Sequence, residues 1–89
     1  MAVNKVQVRQ LIADALVAWM TWRIGKGTKK QFENGVAALA ATLSPGEGPQ
    51  FGSTVWVQAL RVVARWNQKR KVPHTLMDRL LAAYEEAFW

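Results

Sequence analysis

A run of nine residues near the middle of the chain, 44–52, is unable to form a helix or a central strand. It reads Ser-Pro-Gly-Glu-Gly-Pro-Gln-Phe-Gly, with two prolines and three glycines. Proline lacks the backbone N–H that both elements need, and glycine loses more conformational freedom on ordering than any other residue. The run is therefore predicted to be a long loop, with 43 residues before it and 37 residues after it.

Both flanking segments carry apolar residues at the spacing of an amphipathic helix, whereas the alternation typical of strands is missing. Gly25 and Gly27 would end the first helix, because glycine readily adopts the left-handed conformation that closes a helix. Thr28 and Gln31 have the spacing of a capping box, which would begin the second. We predict an all-α fold, a compact bundle of four helices in a single domain over residues 1–89. The predicted helices cover residues 5–24, 28–43, 53–70 and 74–88.

The predicted first helix is apolar over most of its circumference. Its main stripe consists of Val8, Leu11, Ile12, Ala15, Trp19 and Trp22, and it is widened by Leu16, Val17, Met20 and Ile24. A helix of this kind is usually central to its domain, so we expect it at the centre of the core. Gly35, inside the second helix, costs up to about 1 kcal/mol relative to alanine. We interpret this glycine as a place where another helix packs closely.

The sequence offers little chemistry that an enzyme or a metal centre could use. It has one histidine, no cysteine and six carboxylate side chains, and the HExxH, CxxC and GxSxG motifs do not occur. His74, next to Pro73, is expected to be a turn residue rather than a general base. We therefore predict no enzymatic activity, no cofactor, no metal site and no small-molecule substrate.

Cysteine usage and hydropathy bear on the location of the protein. A chain without cysteine fits a reducing compartment, so we expect a cytoplasmic protein. The longest apolar stretch, from Leu11 to Ile24, is interrupted by Asp14, Thr21 and Arg23. It is shorter than the roughly 20 residues that a membrane span requires, and the first residues lack the pattern of a signal peptide. We expect no membrane association.

Basic residues are concentrated in two parts of the chain. The formal net charge is +6, from twelve basic and six acidic residues. Nine of the twelve fall into two clusters, which are Arg23, Lys26, Lys29 and Lys30, and then Arg61, Arg65, Lys69, Arg70 and Lys71. Neither segment, 23–30 or 61–71, contains an acidic residue, and the nearest one is Glu33, three positions after Lys30. If both clusters lie on one flank of the bundle, they form a positive surface suited to a phosphate backbone.

This charge pattern predicts a small basic nucleic-acid-associated regulatory domain that contacts phosphates through a positive face. The residues expected to bind are Lys26, Lys29, Lys30, Arg61, Arg65, Lys69, Arg70 and Lys71. The fourth predicted helix carries Asp78, Glu85 and Glu86 with a single basic residue, Arg79, which makes it a poor recognition helix for a major groove. Binding would therefore involve the nucleic-acid backbone more than the bases.

The alternative function is that of a protein-binding inhibitor or adaptor that docks an acidic surface of a larger host protein. It would use the same cations together with exposed aromatic side chains, for which Trp89, Trp22 and Trp66 are the candidates. Trp89 has no obvious burial requirement and could also contact a second subunit, so the formation of a homodimer stays open.

One stretch of the chain resembles a known family. Residues 65–84 form a basic helix followed by Leu-Met-Asp-Arg-Leu-Leu-Ala-Ala-Tyr, which is similar to the last helices of some phage late antiterminators. The size, charge and tryptophan content are also similar to those of small regulatory proteins of bacteriophages. The resemblance implies a phage-type transcription regulator. It covers less than a quarter of the chain and assigns no role to any residue.

Overall fold

A computed structural model describes residues 5–43 and 54–88. This part of the chain contains four α-helices and no strand, so the all-α prediction is confirmed. The helices are α1 (Lys5–Arg23), α2 (Lys29–Thr42), α3 (Thr54–Lys69) and α4 (His74–Phe88). Each helix begins and ends within one residue of its predicted bounds. The predicted loop at 44–52 lies outside the described residues, as does Trp89.

The four helices pack in a ring. α1 packs on α2, α2 on α3 and α3 on α4, and a smaller contact between α4 and α1 closes the ring. The α1–α2 and α3–α4 contacts are the most extensive, and their connections are only five and four residues long. Because connections this short join antiparallel neighbours, the fold consists of two helical hairpins packed side by side.

Every buried side chain among the described residues is apolar. The core draws on all four helices, with Val8, Ile12, Leu16, Trp19, Phe32, Val36, Leu39, Leu43, Val55, Trp56, Ala59, Val62, Val63, Trp66, Met77, Leu80 and Ala83 in one cluster. Burying one large apolar side chain contributes about 1.5–3 kcal/mol. This cluster is therefore the main source of stability. Each helix contributes to it through its apolar stripe.

The expectation that α1 lies at the centre of the core is wrong. Its main stripe is buried or half-buried, and Leu16 is buried beside it. Val17 and Ile24, however, are 55% and 68% exposed. A ring of four helices has no central member, because each helix turns one face inward and leaves the other uncovered. Hydrophobicity around a whole helix therefore did not predict burial around the whole helix.

The interpretation of Gly35 as a close helix contact is confirmed. A Cβ atom added to Gly35 would lie 3.3 Å from the Cα atom of Ala15 and 3.6 Å from its Cβ atom. The backbones of α1 and α2 therefore approach each other more closely here than a larger side chain would allow. The loss of helix propensity at Gly35 is offset by this contact between the two helices.

The connection between α1 and α2 has the predicted chemistry. Gly25 adopts a φ of 78°, and the backbone N–H groups of Lys26 and Gly27 donate to the carbonyl oxygen of Thr21. Thr28 then caps α2. Its Oγ1 accepts from the Gln31 N–H at 3.1 Å, and its own N–H donates to the Gln31 Oε1 at 3.0 Å. The predicted capping box is therefore confirmed.

Candidate nucleic-acid interface

The turns of the two hairpins, residues 24–28 and 70–73, lie at the same end of the molecule. Trp22 and Lys29, which flank the first turn, line one cleft together with residues of the second turn. The cleft has a volume of about 350 Å³. Because residues next to the first turn and residues of the second turn line one cleft, the two hairpins are packed with their turns at a common end.

Cations from both predicted clusters line this cleft. Lys29 comes from the first turn of α2, Lys69 from the last turn of α3, and Arg70 and Lys71 from the second turn. All four are exposed. Lys29 lies in the first turn of a helix that has no acidic residue there, where the helix dipole disfavours a cation. The cleft thus joins charges that are forty positions apart in the sequence.

The other four predicted binding residues are exposed but do not line the cleft. Lys26 and Lys30 are close neighbours of Lys29 in the sequence. Arg61 and Arg65 precede Lys69 by two turns and one turn of α3, so the three side chains follow one side of that helix. At 1.5 Å per residue, this row extends about 12 Å along α3 from the cleft. Trp89, the predicted protein contact, lies outside the described residues.

Arg70 adopts a backbone conformation that its side chain disfavours. Its φ is 53°, in the left-handed region, where a residue with a Cβ atom is about 1–2 kcal/mol less stable than in its ordinary conformation. Its N–H donates to the carbonyl oxygen of Trp66 at 2.7 Å, which ends α3. The guanidinium lies 5.7 Å from the centre of the Trp66 ring. No feature of the Lys-Arg-Lys run marks Arg70 as the residue that takes this conformation.

Aromatic side chains form another part of the cleft wall. Trp22 stacks on Phe32 with ring centres 5.6 Å apart and an interplanar angle of 16°. The centre of the His74 ring lies 5.3 Å from that of Trp22, with an angle of 31°. Phe32 is buried, Trp22 is half-buried and His74 is exposed. The cleft therefore combines cations with aromatic rings that keep part of their surface accessible.

Trp66 does not fit its role in the protein-docking alternative, where it was a candidate for an exposed aromatic contact. It is only 7% exposed, because α3 turns this residue into the core. It still lines the cleft. Its indole Nε1 is buried and has no hydrogen-bond partner among residues 5–43 and 54–88. An unpaired buried donor is uncommon and costs about 1–3 kcal/mol.

His74 is the first residue of α4, and a hydrogen bond from a core residue holds its ring in place. The buried Trp19 indole Nε1 donates to the His74 Nδ1 at 2.8 Å. The bond spans 55 positions of the sequence and ties α1 to the start of α4. It also fixes the orientation of the ring at the cleft.

The charge balance of the cleft is positive. Four cations and one carboxylate, that of Glu33, are among its lining residues. Glu33 lies on α2 one turn after Lys29 and is half-buried. Across the described residues, no three or more His, Asp and Glu side chains are grouped so that they could hold a metal ion.

Within residues 5–43 and 54–88, none of the helices combines the length and the hydropathy needed to cross a bilayer.

The comparison with known proteins assigns neither a family nor a function to this chain. The chain matches no family model, no curated protein and no solved structure.

Proposed function

We propose that this protein is a small regulatory domain that binds nucleic acid by holding phosphates against the cations of the cleft. The observation that carries this proposal is the convergence of Lys29 with Lys69, Arg70 and Lys71 on one concave surface. An anion that binds in the cleft is attracted by all four cations at once. A cleft of one sign also concentrates the field and attracts a polyanion.

The row of cations on α3 supports a long ligand over a small anion. Arg61 and Arg65 extend the positive charge about 12 Å from Lys69. A strand of nucleic acid carries one phosphate per roughly 3.4 Å of helix axis, so this row could face about three or four phosphates. The resemblance of residues 65–84 favours a phage-type transcription regulator as the specific form of this function.

The test is the salt dependence of binding, measured by fluorescence anisotropy with a labelled oligonucleotide in single-stranded and in duplex form. Contact with four to six phosphates predicts a slope of log K against log salt between about −3 and −5. The double substitution Lys69→Glu and Lys71→Glu is expected to lower the affinity about 100-fold at ~100 mM salt. The double substitution Lys5→Glu and Arg79→Glu changes the net charge equally outside the cleft and is the control.

Two outcomes would contradict the proposal. One is the absence of binding to either form at ~50 mM salt. The other is an equal loss of affinity in the cleft variant and in the control, which would mean that only the net charge matters. In the first case the same cations would face the carboxylates of a protein partner, and the inhibitor or adaptor function would take the place of nucleic-acid binding.

A further inference from the structure

We propose that the cleft holds an unpaired base, so that the ligand of this domain is single-stranded nucleic acid. This inference rests on the proposed function, since it takes the phosphate contacts as given and specifies the form of the nucleic acid. It extends the sequence-based expectation, in which the backbone is contacted more than the bases.

The shape of the surface favours a single strand. The cleft is concave, and its volume of about 350 Å³ lies within the range of ligand-binding pockets, about 300–1,000 Å³. A duplex presents its phosphates outward and keeps its bases stacked inside, so a base reaches a pocket only after it has been unpaired and extruded. The bases of a single strand turn outward at little cost. A duplex would therefore use the rim cations and leave the cleft itself empty.

The aromatic wall is suited to stacking. Trp22 stacks on Phe32, at a ring distance of 5.6 Å. His74 is held by its hydrogen bond from Trp19. Rings that are fixed before binding lose little conformational entropy when a base stacks on them. Aromatic rings beside a positively charged groove are the usual composition of sites that bind single strands without sequence preference.

Two cleft residues carry features that packing alone leaves unexplained. The Trp66 Nε1 is a buried donor for which the described part of the chain provides no acceptor. Arg70 keeps a left-handed backbone at a position where glycine would be relaxed. Nucleotides supply acceptors on the base, the sugar and the phosphate, so a bound strand could accept hydrogen bonds from the exposed Arg70 guanidinium. Strained residues and unpaired donors are concentrated at functional sites, and here they occur on adjacent side chains of one cleft.

Glu33 sets the direction in which the nucleotide lies. Its carboxylate repels phosphate, whereas Lys69, Arg70 and Lys71 attract it. The backbone is therefore expected to follow α3 and the second turn. The base then lies toward Trp22 and Glu33, where the carboxylate can accept hydrogen bonds from amino and imino groups of the base edge.

The first experiment compares a labelled single strand of about 15 nucleotides with the same strand annealed to its complement, using the unmodified chain at ~50 mM salt. We expect the single strand to bind at least tenfold more tightly than the duplex. Equal binding of the two forms would overturn this inference and leave the proposed function standing. No binding of either form would overturn the proposed function itself.

The second experiment separates stacking from charge. Trp22→Leu is expected to lower the affinity for the single strand about tenfold and to leave the affinity for the duplex unchanged. The slope of log K against log salt should not change, because a stacked ring releases no counterions. Phe88→Leu removes a half-buried ring outside the cleft and serves as the control, with circular dichroism to verify folding. A folded Trp22→Leu variant with unchanged single-strand affinity would overturn the inference, and the strand comparison decides it if the variant does not fold.

Discussion

The two hairpin turns close the same end of the molecule by different means. In the first turn, the left-handed position after α1 is occupied by Gly25, with a φ of 78°. In the second turn, the left-handed position after α3 is occupied by Arg70, with a φ of 53°. Glycine adopts this conformation without steric cost, whereas a residue with a Cβ atom does not. One turn is relaxed and the other is strained.

The difference between the turns coincides with a difference in what their side chains do. Apart from its two chain neighbours, no described residue comes within 4 Å of a Cβ atom added at Gly25, so the first turn does not require a side chain at this position for packing. The Arg70 side chain lines the cleft and lies over the Trp66 ring. We infer that backbone strain is retained in the second turn because a cation is required at that position. The first turn, which contributes no side chain of its own to the cleft, is built for stability.

The largest effect on stability is expected from the hydrogen bond that anchors the second hairpin. His74→Phe keeps an aromatic ring against Trp19 and Trp22 but removes the acceptor of the buried Trp19 Nε1. Leaving this donor unpaired should lower the free energy of unfolding by about 1–3 kcal/mol. For a domain of this size that corresponds to a fall in Tm of roughly 4–8 °C per kcal/mol. Urea and thermal unfolding would measure it.

The matched change in the first turn is Thr28→Val, which removes the acceptor of the Gln31 N–H. That N–H is exposed, so water can replace the hydroxyl, and the loss should be about 0.5–1 kcal/mol. If His74→Phe costs no more than Thr28→Val, the bond between Trp19 and His74 does not contribute to stability in solution. The buried donor would then stabilise the fold no more than the exposed one.

Features that depend on residues close together in the sequence were predicted well, and features that depend on contacts between distant residues were predicted poorly. The bounds of the helices and the capping box at Thr28 depend on residues near one another in sequence. The glycine at position 35 indicated a close helix contact, but it did not indicate the partner, Ala15, which is 20 positions away on α1. The exposure of Val17 and Ile24 depends on how many neighbours α1 has. An apolar pattern states which faces can be buried, but it does not state how many partners will bury them.

The candidate site was predicted only in part, for the same reason. The two clusters of cations were visible in the sequence, and the cleft contains members of both. The aromatic part of the wall was not predicted, because Trp22, Phe32, Trp66 and His74 meet only when both turns lie at one end. The bond from Trp19 to His74 joins residues 55 positions apart, and no local pattern indicates such a bond.

An exchange of residue types between the turns tests the strain at Arg70 directly. Arg70→Gly should raise the free energy of unfolding by about 1 kcal/mol, because glycine relaxes the left-handed position. It should also lower the affinity for a single strand about fivefold at ~100 mM salt, because one phosphate contact is lost. Gly25→Ala should do the reverse for stability, with a loss of about 1 kcal/mol, and leave the affinity unchanged.

Arg70→Asn provides the control, since asparagine lacks the charge but tolerates the left-handed region better than most residues. It should match Arg70→Gly in affinity and show a smaller gain in stability. If Arg70→Gly weakens binding without stabilising the fold, the backbone at Arg70 is not strained. The contrast between a relaxed and a strained turn would then disappear.

The smallest effect is expected at Glu33, where the first hairpin places its carboxylate among the cations of the cleft. Glu33→Gln preserves the shape of the side chain and removes its repulsion of phosphate, so the affinity for a single strand should rise two- to fivefold, roughly, at ~100 mM salt. The gain should vanish near ~1 M salt, where the Debye length falls to about 3 Å. Glu85→Gln makes the same change of charge on α4, outside the cleft, and should alter the affinity by less. Equal effects of the two substitutions would mean that the strand does not pass Glu33, and that the phosphates are held by the second turn and α3 alone.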